Sequence, residues 1–169
     1  MHRAERSVRV ATLTVSDTRT EHDDEGGRRL RELLAEAGFE LAAHAIVRDE
    51  PSLVQGAIER ACGTDGVDAV VSTGGTGIAA RDQTYEAVDA LLDKRLDGFG
   101  EAFRRLSWDA IGPRAILSRA VAGTARGKVV VALPGSPAAV ELAVTQILAG
   151  MLGHACALAR GQTAHAPKG

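Results

Sequence analysis

A valine-rich run that breaks into glycines constrains this chain more than any other stretch. Residues 67–71 read Val-Asp-Ala-Val-Val, a short apolar run typical of a buried strand. Ser72 and Thr73 end the run, and residues 74–77 read Gly-Gly-Thr-Gly. Glycine adopts positive φ and carries no Cβ, so a backbone built from it turns sharply and approaches a ligand closely. The stretch therefore predicts a strand that ends in a tight, exposed turn.

The residues after the glycines suggest what this turn is for. Arg81 and Asp82 follow it, and a helical pattern begins near Thr84. A strand, a glycine turn, a charged pair and a helix start form the layout of an anion site at the carboxyl end of a strand. Two alternatives stay open: residues 73–77 form only a structural turn, or Asp82 is a plain N-cap. If Asp82 is functional, a carboxylate beside phosphate indicates Mg²⁺ between them.

One familiar nucleotide motif is matched only formally. Residues 75–80, Gly-Thr-Gly-Ile-Ala-Ala, fit the dinucleotide pattern GxGxxA. That pattern needs a helix that opens on the turn and a following strand that ends in an acidic residue. Here Arg81 and Asp82 intervene and the next segments have a helical pattern, so a nicotinamide site is disfavoured.

Strands and helices alternate along the chain. The predicted strands are Val8–Val15, Phe39–Val47, the stretch at residues 67–71 and Lys128–Leu133, and the predicted helices begin at Gly27, Pro51, Thr84 and Ala138, the last ending at Leu152. This alternation indicates an α/β sandwich around a mainly parallel sheet. We expect one domain over residues 1–169, with an ordered core over about residues 8–158.

Three connections are predicted from composition. The acidic run at residues 21–25 is expected to be a solvated loop. Leu96–Glu101 is expected to be a turn into a short helix that ends at Leu106, and Gly123–Gly127 is expected to be a turn. Four polar or glycine-rich segments, at residues 16–20, 48–49, 73–82 and 134–137, lie at the ends of predicted elements, and at least three should converge.

Composition excludes several classes of partner. The 20 basic and 22 acidic residues give a formal charge of −2, and aromatic residues make up 3%, so neither nucleic acid nor a membrane surface is an expected partner. Residues 138–152 are the most apolar late stretch, but they are too few to span a bilayer. Cys62 and Cys156 form no CxxC motif, and a cytoplasmic location is expected.

The motifs together resemble those of the MoaB and MogA family of molybdenum cofactor biosynthesis proteins. The resemblance covers about Val8 to Leu152. It is carried by Ser72-Thr73-Gly74-Gly75-Thr76-Gly77, Arg81-Asp82-Gln83-Thr84, Gly98-Phe99-Gly100-Glu101, Ser118-Arg119-Ala120 and Leu133-Pro134-Gly135-Ser136-Pro137. The segment from Gly98 to Ser107, with Ile111-Gly112, is more similar to MoaB than to MogA.

The resemblance implies a three-layer α/β/α molybdopterin-binding fold and assembly as a homotrimer or homohexamer. It implies adenylylation of molybdopterin by ATP with Mg²⁺ and release of pyrophosphate; the alternative is a non-catalytic molybdopterin-binding or carrier protein. The catalytic positions that it implies are Asp49 and Asp82, with Asp82 placing Mg²⁺. The substrate and phosphate positions that it implies are Ser16, Asp17, Thr73, Gly74, Gly75, Thr76, Gly77, Ser118, Arg119, Pro134, Gly135 and Ser136.

Overall fold

A six-stranded sheet lies between two helical layers in the computed structural model, which describes residues 7–161. The strands are β1 (Arg9–Val15), β2 (Glu40–Val47), β3 (Ala69–Thr73), β4 (Lys94–Arg95), β5 (Val121–Ala125) and β6 (Lys128–Leu133). The helices are α1 (Glu25–Glu36), α2 (Pro51–Cys62), α3 (Thr84–Asp89), α4 (Asp97–Ile111), α5 (Pro137–Ala143) and α6 (Ala149–Ala159). A 3₁₀ segment (Gly112–Leu117) follows α4, and a π-helical segment (Val144–Leu148) joins α5 to α6.

The strand order β2-β1-β3-β6-β5-β4 places the carboxyl ends of β1, β3 and β6 side by side, and the predicted site segments follow these three ends. Strands β2, β1, β3 and β6 are parallel, whereas β5 runs antiparallel to β6 and β4 antiparallel to β5. Thr73 at the end of β3 is level with Thr14 in β1 and with Leu133 in β6. The predicted α/β/α sandwich with a mainly parallel sheet is confirmed, and the segments that follow β1, β3 and β6 meet at one edge.

Strand β3 is buried on both faces, which explains its continuous apolar sequence. Val71 belongs to a core cluster that includes Leu30 of α1, on one face of the sheet. Val70, its neighbour, belongs to the opposite cluster with Val54 of α2. Because successive strand residues point to opposite faces, one short run supplies both cores and holds the loop that follows it in a fixed position.

The predicted exposure of the acidic run before α1 holds for four of its five residues, but Asp24 is buried. Helix α1 begins at Glu25, two residues before the predicted start, and Asp24 is its N-cap, accepting a hydrogen bond from the backbone N–H of Gly27 at 3.0 Å. The Asp24 side chain is only 3% exposed and also accepts a hydrogen bond from the Thr14 hydroxyl at 2.7 Å. The prediction from sequence did not take into account that helix capping and these hydrogen bonds offset the free-energy cost of burying the Asp24 carboxylate.

Two predicted glycine turns are regular structure instead. Gly98 lies inside α4, where burial of Phe99 and Phe103 on one helix face outweighs the poor helix propensity of glycine. Gly123 lies in β5, where a Cβ would come within 2.3 Å of the Lys94 carbonyl oxygen in β4. Glycine in a strand marks such close approach of a neighbouring backbone. The turn between β5 and β6 is therefore limited to Arg126 and Gly127.

The final helical segment is longer than predicted. It runs over Pro137–Ala159, 23 residues, and an 18-residue stretch of it has a mean hydropathy of 1.6, enough by length and composition alone to cross a membrane. The length argument made from residues 138–152 is therefore wrong. One side of this segment packs into the core of the sandwich through fully buried Val140, Leu148 and Leu152. A core helix of this kind passes the same length and hydropathy test.

Candidate functional site

A cavity of about 360 Å³ lies at the edge of the sheet where β1, β3 and β6 end. Its lining includes five predicted site residues: Ser16, Thr73, Gly74, Gly135 and Ser136. Thr73 is almost fully buried and donates its hydroxyl proton to the Pro134 carbonyl oxygen at 2.8 Å, which ties the end of β3 to the end of β6. The structure thus brings together three segments that are far apart in the sequence, at Ser16, at residues 73–74 and at residues 135–136.

The cavity is narrow at its base because backbones meet there without side chains between them. A Cβ on Gly74, whose φ is +103°, would lie 2.1 Å from the Val15 carbonyl oxygen. A Cβ on Gly26, in the first turn of α1, would lie 2.7 Å from the Gly135 carbonyl oxygen. Both contacts are far inside van der Waals range, so these positions require glycine. Ser136 closes the other side by accepting a hydrogen bond from the Ala139 N–H at 3.2 Å as the N-cap of α5.

The glycine loop offers successive backbone donors. The N–H of Gly74 is used by the Leu133 carbonyl oxygen at 2.9 Å. Those of Gly75, Thr76 and Gly77 make no hydrogen bond to any residue between 7 and 161. Gly75 and Gly77 are partly exposed, and Gly75 has a φ of +73°. Consecutive unsatisfied N–H groups next to positive-φ glycines form the type of concave backbone that binds oxyanions.

Asp82 lies at the far end of this loop and does not cap α3. The residue before that helix is Gln83, whose side chain makes no capping hydrogen bond. Asp82 Oδ2 accepts a hydrogen bond from the Ala79 N–H at 2.9 Å, and Oδ1 accepts none within the described part of the chain. The residue is partly exposed, so one of its carboxylate oxygens can take a ligand. The N-cap alternative for Asp82 is therefore removed.

Asp49 lies beneath the loop rather than on its surface. It is 6% exposed, and its two oxygens accept long hydrogen bonds from the Gln83 N–H (3.3 Å each) and the Thr84 hydroxyl (3.5 Å). Burial raises the pKa of this carboxyl above its ordinary value, and the nearby charges of Asp82 and Asp17 raise it further. Gly75 makes room for it, since a Cβ there would lie 2.4 Å from Asp49 Oδ2.

Asp17 joins the end of β1 to the loop. Its Oδ2 accepts hydrogen bonds from Arg81 Nε (3.0 Å) and Nη2 (2.9 Å), and its Oδ1 accepts one from the Asp49 N–H at 3.1 Å. The Arg81 hydrogen bond and the Asp49 N–H lower the pKa of Asp17. Asp17, Asp49 and Asp82 thus surround one loop, but only Asp17 has a guanidinium partner.

The last two predicted positions, Ser118 and Arg119, lie on the outer side of the loop. Arg119 Nη2 donates to the carbonyl oxygens of Gly77 (2.7 Å) and Asp82 (3.1 Å), and Nη1 forms an ion pair with Glu86. Ser118 lines a second cavity together with Tyr85 and Arg104, and it does not line the first. Phosphate binding by these two residues stays a prediction, as do the roles of all the other positions.

Comparisons with known proteins place the chain in a family. Residues 11–154 match the family model described as "Probable molybdopterin binding domain". This chain belongs to that family.

Relatives narrow the assignment to the MoaB branch. Molybdenum cofactor biosynthesis protein B of Halalkalibacterium halodurans is 49% identical over 90% of this chain and 92% of its own length. A crystal structure of a molybdenum cofactor biosynthesis protein B has a TM-score of 0.90 and 46% identity, covering 94% of this chain and 99% of the other. The tungsten cofactor synthesizing protein MoaB of Pyrococcus furiosus has a TM-score of 0.84 and 37% identity, covering 93% and 99%. The resemblance inferred from the motifs is confirmed.

The acidic residues of this MoaB-family site fit Mg²⁺ only when a substrate supplies further ligands. Within residues 7–161, no group of three or more His, Cys, Asp or Glu side chains is arranged to hold a metal ion. Asp82 has one oxygen without a partner and Asp49 makes only long hydrogen bonds, whereas Asp17 is held by Arg81. Mg²⁺ is usually bound by one or two carboxylates together with substrate phosphates. Such a shared site matches these residues.

Sequence reasoning missed several residues of the first cavity, namely Thr14, Arg19, Asp24, Glu25 and Gly26. Asp24, Glu25 and Gly26 lie in or next to the acidic run that was predicted to be solvated, and Arg19 lies two residues before it. The overlooked signal was an aspartate immediately before a helical pattern, the usual sign of an N-cap. His44 was also passed over; its Nε2 lies 3.2 Å from Asp24 Oδ2 and its Nδ1 lies 2.8 Å from the Thr12 hydroxyl.

Proposed function

We propose that this protein binds molybdopterin and adenylylates it with Mg-ATP, releasing pyrophosphate. Membership of the MoaB family and the names of its relatives support the cofactor pathway. The observation that carries the enzymatic part is the row of three N–H groups at Gly75, Thr76 and Gly77, next to one carboxylate oxygen of Asp82, all without a partner among residues 7–161. Phosphate oxygens need hydrogen-bond donors such as these N–H groups, and a metal ion bound to phosphates needs a carboxylate oxygen such as that of Asp82.

The proposed reaction requires alignment of the two substrates and neutralisation of their charge rather than a covalent bond to a protein residue. An oxygen of the terminal phosphate of molybdopterin forms a bond to the α-phosphorus of ATP. The bond from that phosphorus to the oxygen bridging to the β-phosphorus breaks, and its electron pair leaves with pyrophosphate. Backbone donors held in place before the reaction stabilise the charge that develops on the phosphoryl oxygens.

The glycine loop and the cavity next to it bind different parts of the substrates. The backbone donors of residues 75–77 hold phosphate oxygens, and the narrow cavity lined by Ser16 and Ser136 accepts the remainder of one substrate. Asp82 and Asp49 would hold Mg²⁺, which neutralises charge on the transferred phosphates. Arg81 is exposed and its guanidinium fork suits phosphate, although it forms an ion pair with Asp17.

A non-catalytic molybdopterin-binding or carrier protein is the second candidate. The cavity favours it as much as the enzyme, because pterin binding alone needs no metal. The low exposure of Asp49, at 6%, also favours it, since a metal ligand has to reach its ion.

The experiment is to mix the purified protein with molybdopterin, ATP and Mg²⁺ and measure pyrophosphate. One pyrophosphate for each adenylylated pterin, dependent on Mg²⁺, supports the enzyme. If no pyrophosphate appears, isothermal titration decides what remains: tight pterin binding without nucleotide binding selects the carrier. Failure to bind the pterin removes both candidates.

Assembly as a homotrimer or homohexamer is part of the proposal. Trp108, Ile111, Ile116 and Leu117 lie in or after the end of α4 and are 48% to 65% exposed, a costly arrangement for a monomer. Sedimentation velocity of the full chain should give a mass of three or six subunits. A monomer at micromolar concentration contradicts this assembly. Cytoplasmic location stays a prediction.

A further inference from the structure

Three buried polar side chains form the floor of the first cavity, the one at the ends of β1, β3 and β6. They are Thr14, Asp24 and Thr73, which are 4%, 3% and 1% exposed. Sequence reasoning did not predict Thr14 or Asp24 as site residues, and the proposed function assigns them no role. Because buried polar groups need hydrogen-bond partners, the donors and acceptors that this floor presents decide which ligand fits it.

The two threonine hydroxyls of the floor are already used as donors. Thr14 donates to Asp24 Oδ2 at 2.7 Å, and Thr73 donates to the Pro134 carbonyl oxygen at 2.8 Å. A hydroxyl has one proton and two lone pairs, so both threonine oxygens can only accept a hydrogen bond from a ligand. Phosphate oxygens are themselves acceptors, and this floor therefore does not suit a phosphate group.

Asp24 is an acceptor as well. Its Oδ1 accepts a hydrogen bond from the Gly27 N–H at 3.0 Å, and its Oδ2 lies 3.2 Å from His44 Nε2. An ionised carboxylate cannot donate, so we assign the ring hydrogen to Nε2, while Nδ1 lies 2.8 Å from the Thr12 hydroxyl, which can donate to it. Burial lowers the pKa of His44, and the charge of Arg31 lowers it further, so a neutral ring orients Asp24 without cancelling its charge.

One acceptor position on Asp24 is left for a ligand. A carboxylate has about four lone-pair positions. Among residues 7–161, three hydrogen bonds use them, from Gly27, Thr14 and His44. The Asp24 side chain lines the cavity, so a ligand that enters it meets a charged oxygen that still accepts.

The more exposed lining of the same cavity supplies donors. Ser16 Oγ accepts from the Arg19 N–H at 3.1 Å and Ser136 Oγ accepts from the Ala139 N–H at 3.2 Å, so both hydroxyl protons remain available. The Gly26 N–H has no partner among residues 7–161. A ligand that fits must therefore carry N–H groups at its buried end and acceptors nearer the opening.

We propose that this floor binds the aminopyrimidinone edge of a pterin ring, with Asp24 as the residue that selects it. The inference rests on the proposed function, in which one substrate is a pterin. That ring edge carries two adjacent donors, the N3–H and the 2-amino group, with the 4-oxo acceptor beside them. Adenine instead has its one amino group between two ring nitrogens that accept, and these would face the floor oxygens with no hydrogen between them.

The test is a fluorescence titration of the full chain with two free rings, without ATP or Mg²⁺. Pterin carries the 2-amino group, whereas lumazine is the same bicyclic ring with an oxygen in its place. We expect pterin to bind about tenfold or more tightly than lumazine, because a site built to accept from an N–H rejects the analogue that lacks it. Equal affinity for the two rings overturns the proposal, and so does a failure of pterin to saturate.

Asp24→Asn tests the residue itself. Asparagine caps helices as well as aspartate does, so α1 keeps its N-cap, but the charge and one acceptor oxygen are lost. Pterin affinity should fall about tenfold, the scale of losing a hydrogen bond to a charged group, while lumazine affinity changes little. Glu25→Gln is the matched control: it removes the same charge from the next, exposed residue of the same cavity and should leave the preference for pterin unchanged. A preference that survives Asp24→Asn overturns the role of Asp24.

NMR of the ¹⁵N-labelled parent chain decides the matter if Asp24→Asn does not fold. Pterin should shift the Gly27 N–H, which bonds Asp24, and the ring nitrogens of His44. Shifts confined to residues 75–82 overturn the proposal. Adenosine is the competing ring, and larger shifts at Gly27 from adenosine than from pterin would assign the cavity to the nucleotide and overturn the proposal as well.

The free rings separate this inference from the proposed function, because they lack the phosphate on which adenylylation depends. A chain that releases pyrophosphate but binds pterin and lumazine equally keeps the enzymatic proposal and loses this one. A chain that prefers pterin through Asp24 but releases no pyrophosphate keeps this inference and loses the enzyme.

Discussion

Arg119 is bound to the carbonyl oxygen of Gly77, 42 positions away in sequence, at 2.7 Å. The same guanidinium bonds the Asp82 carbonyl oxygen at 3.1 Å and pairs with Glu86, and its backbone N–H donates to the Thr76 carbonyl oxygen at 3.0 Å. One side chain therefore braces both ends of the loop that presents the backbone donors. Its role in the proposed reaction is to position the loop.

Arg119→Gln should loosen this loop more than it destabilises the sheet. The change removes charge-assisted hydrogen bonds to two carbonyl oxygens, each worth about 1.5–3 kcal/mol at most. We expect hydrogen exchange of residues 76–82 to accelerate at least tenfold while that of β3 is unchanged. Arg126→Gln, which removes an exposed arginine paired with Glu59, is the control. If residues 76–82 exchange at the same rate in both variants, the loop keeps its conformation without the Arg119 side chain.

Asp82→Asn should reduce catalysis far more than folding. Its Oδ2 accepts one local hydrogen bond, which the asparagine carbonyl oxygen can replace, whereas the charge needed for Mg²⁺ is lost. We expect pyrophosphate release to fall about 10²- to 10³-fold, the scale for losing one electrostatic contact to the transition state. Asp65→Asn, an exposed aspartate before β3, controls for the loss of charge. Cooperative unfolding of Asp82→Asn at lower temperature than the control would instead assign Asp82 a structural role.

Asp49→Asn should stabilise the ligand-free protein near neutral pH. Folding raises the pKa of Asp49, through burial first and then the charges of Asp82 and Asp17, so its ionised form is penalised in the folded state. That penalty is present above the folded pKa and disappears as the pH falls below the ordinary value of 3.8. A gain of about 1 kcal/mol would raise Tm by about 2–4 °C.

Melting curves from pH 7 to pH 4 test this sign. The Tm difference between Asp49→Asn and the parent chain should be constant above the folded pKa of Asp49 and should shrink as the pH falls below it. A variant that melts lower at pH 7 would mean that the hydrogen bonds to Gln83 and Thr84 need a full carboxylate. The same variant should lose Mg²⁺-dependent turnover.

Gly75→Ala should be among the most disruptive single changes in the loop. The new Cβ would lie 2.1 Å from Thr84 Oγ1, and the φ of +73° is strained for alanine. We expect a loss of about 1–3 kcal/mol of unfolding free energy, measured by urea denaturation. Gly98→Ala is the control because a Cβ there meets nothing within 4 Å inside α4, and it should stabilise by about 0.5–1 kcal/mol. If Gly75→Ala and Gly98→Ala change the free energy of unfolding by the same amount, the backbone strain does not lie at position 75.

Arg81→Gln should raise the pKa of Asp17 toward its ordinary value of 3.8. The Arg81 hydrogen bond is the largest cause of the lowering, and the Asp49 N–H, the second cause, is unaffected by the change. NMR titration of the Asp17 carboxyl carbon measures this directly. A pKa that does not move would show that the ion pair at this exposed position is not formed in solution.

Periodicity and glycine placement were enough to predict the four parallel strands of the sheet, but not β4 and β5. A buried strand is predicted at residues 67–71 because the neighbouring residues Val70 and Val71 are both apolar. Successive strand residues point to opposite faces of the sheet, so both faces must be buried. Residues 74–77 had to turn sharply because three of the four carry no Cβ. Local turn signals failed at Gly98 and Gly123, where packing of Phe103 and close approach of β4 overrode the propensity of glycine.

By itself the sequence determined the α/β/α class and the family, since both depend on short-range patterns, while the anion-binding character of the loop after β3 stays a prediction. Only the tertiary structure decided which polar residues meet. It buried Asp49 under the loop, paired Asp17 with Arg81, assigned Arg119 to backbone carbonyls and left Asp82 with an oxygen to spare. The physical reason is that hydrogen bonds and ion pairs form between atoms a few ångströms apart, and strand order, which local sequence does not encode, sets those distances.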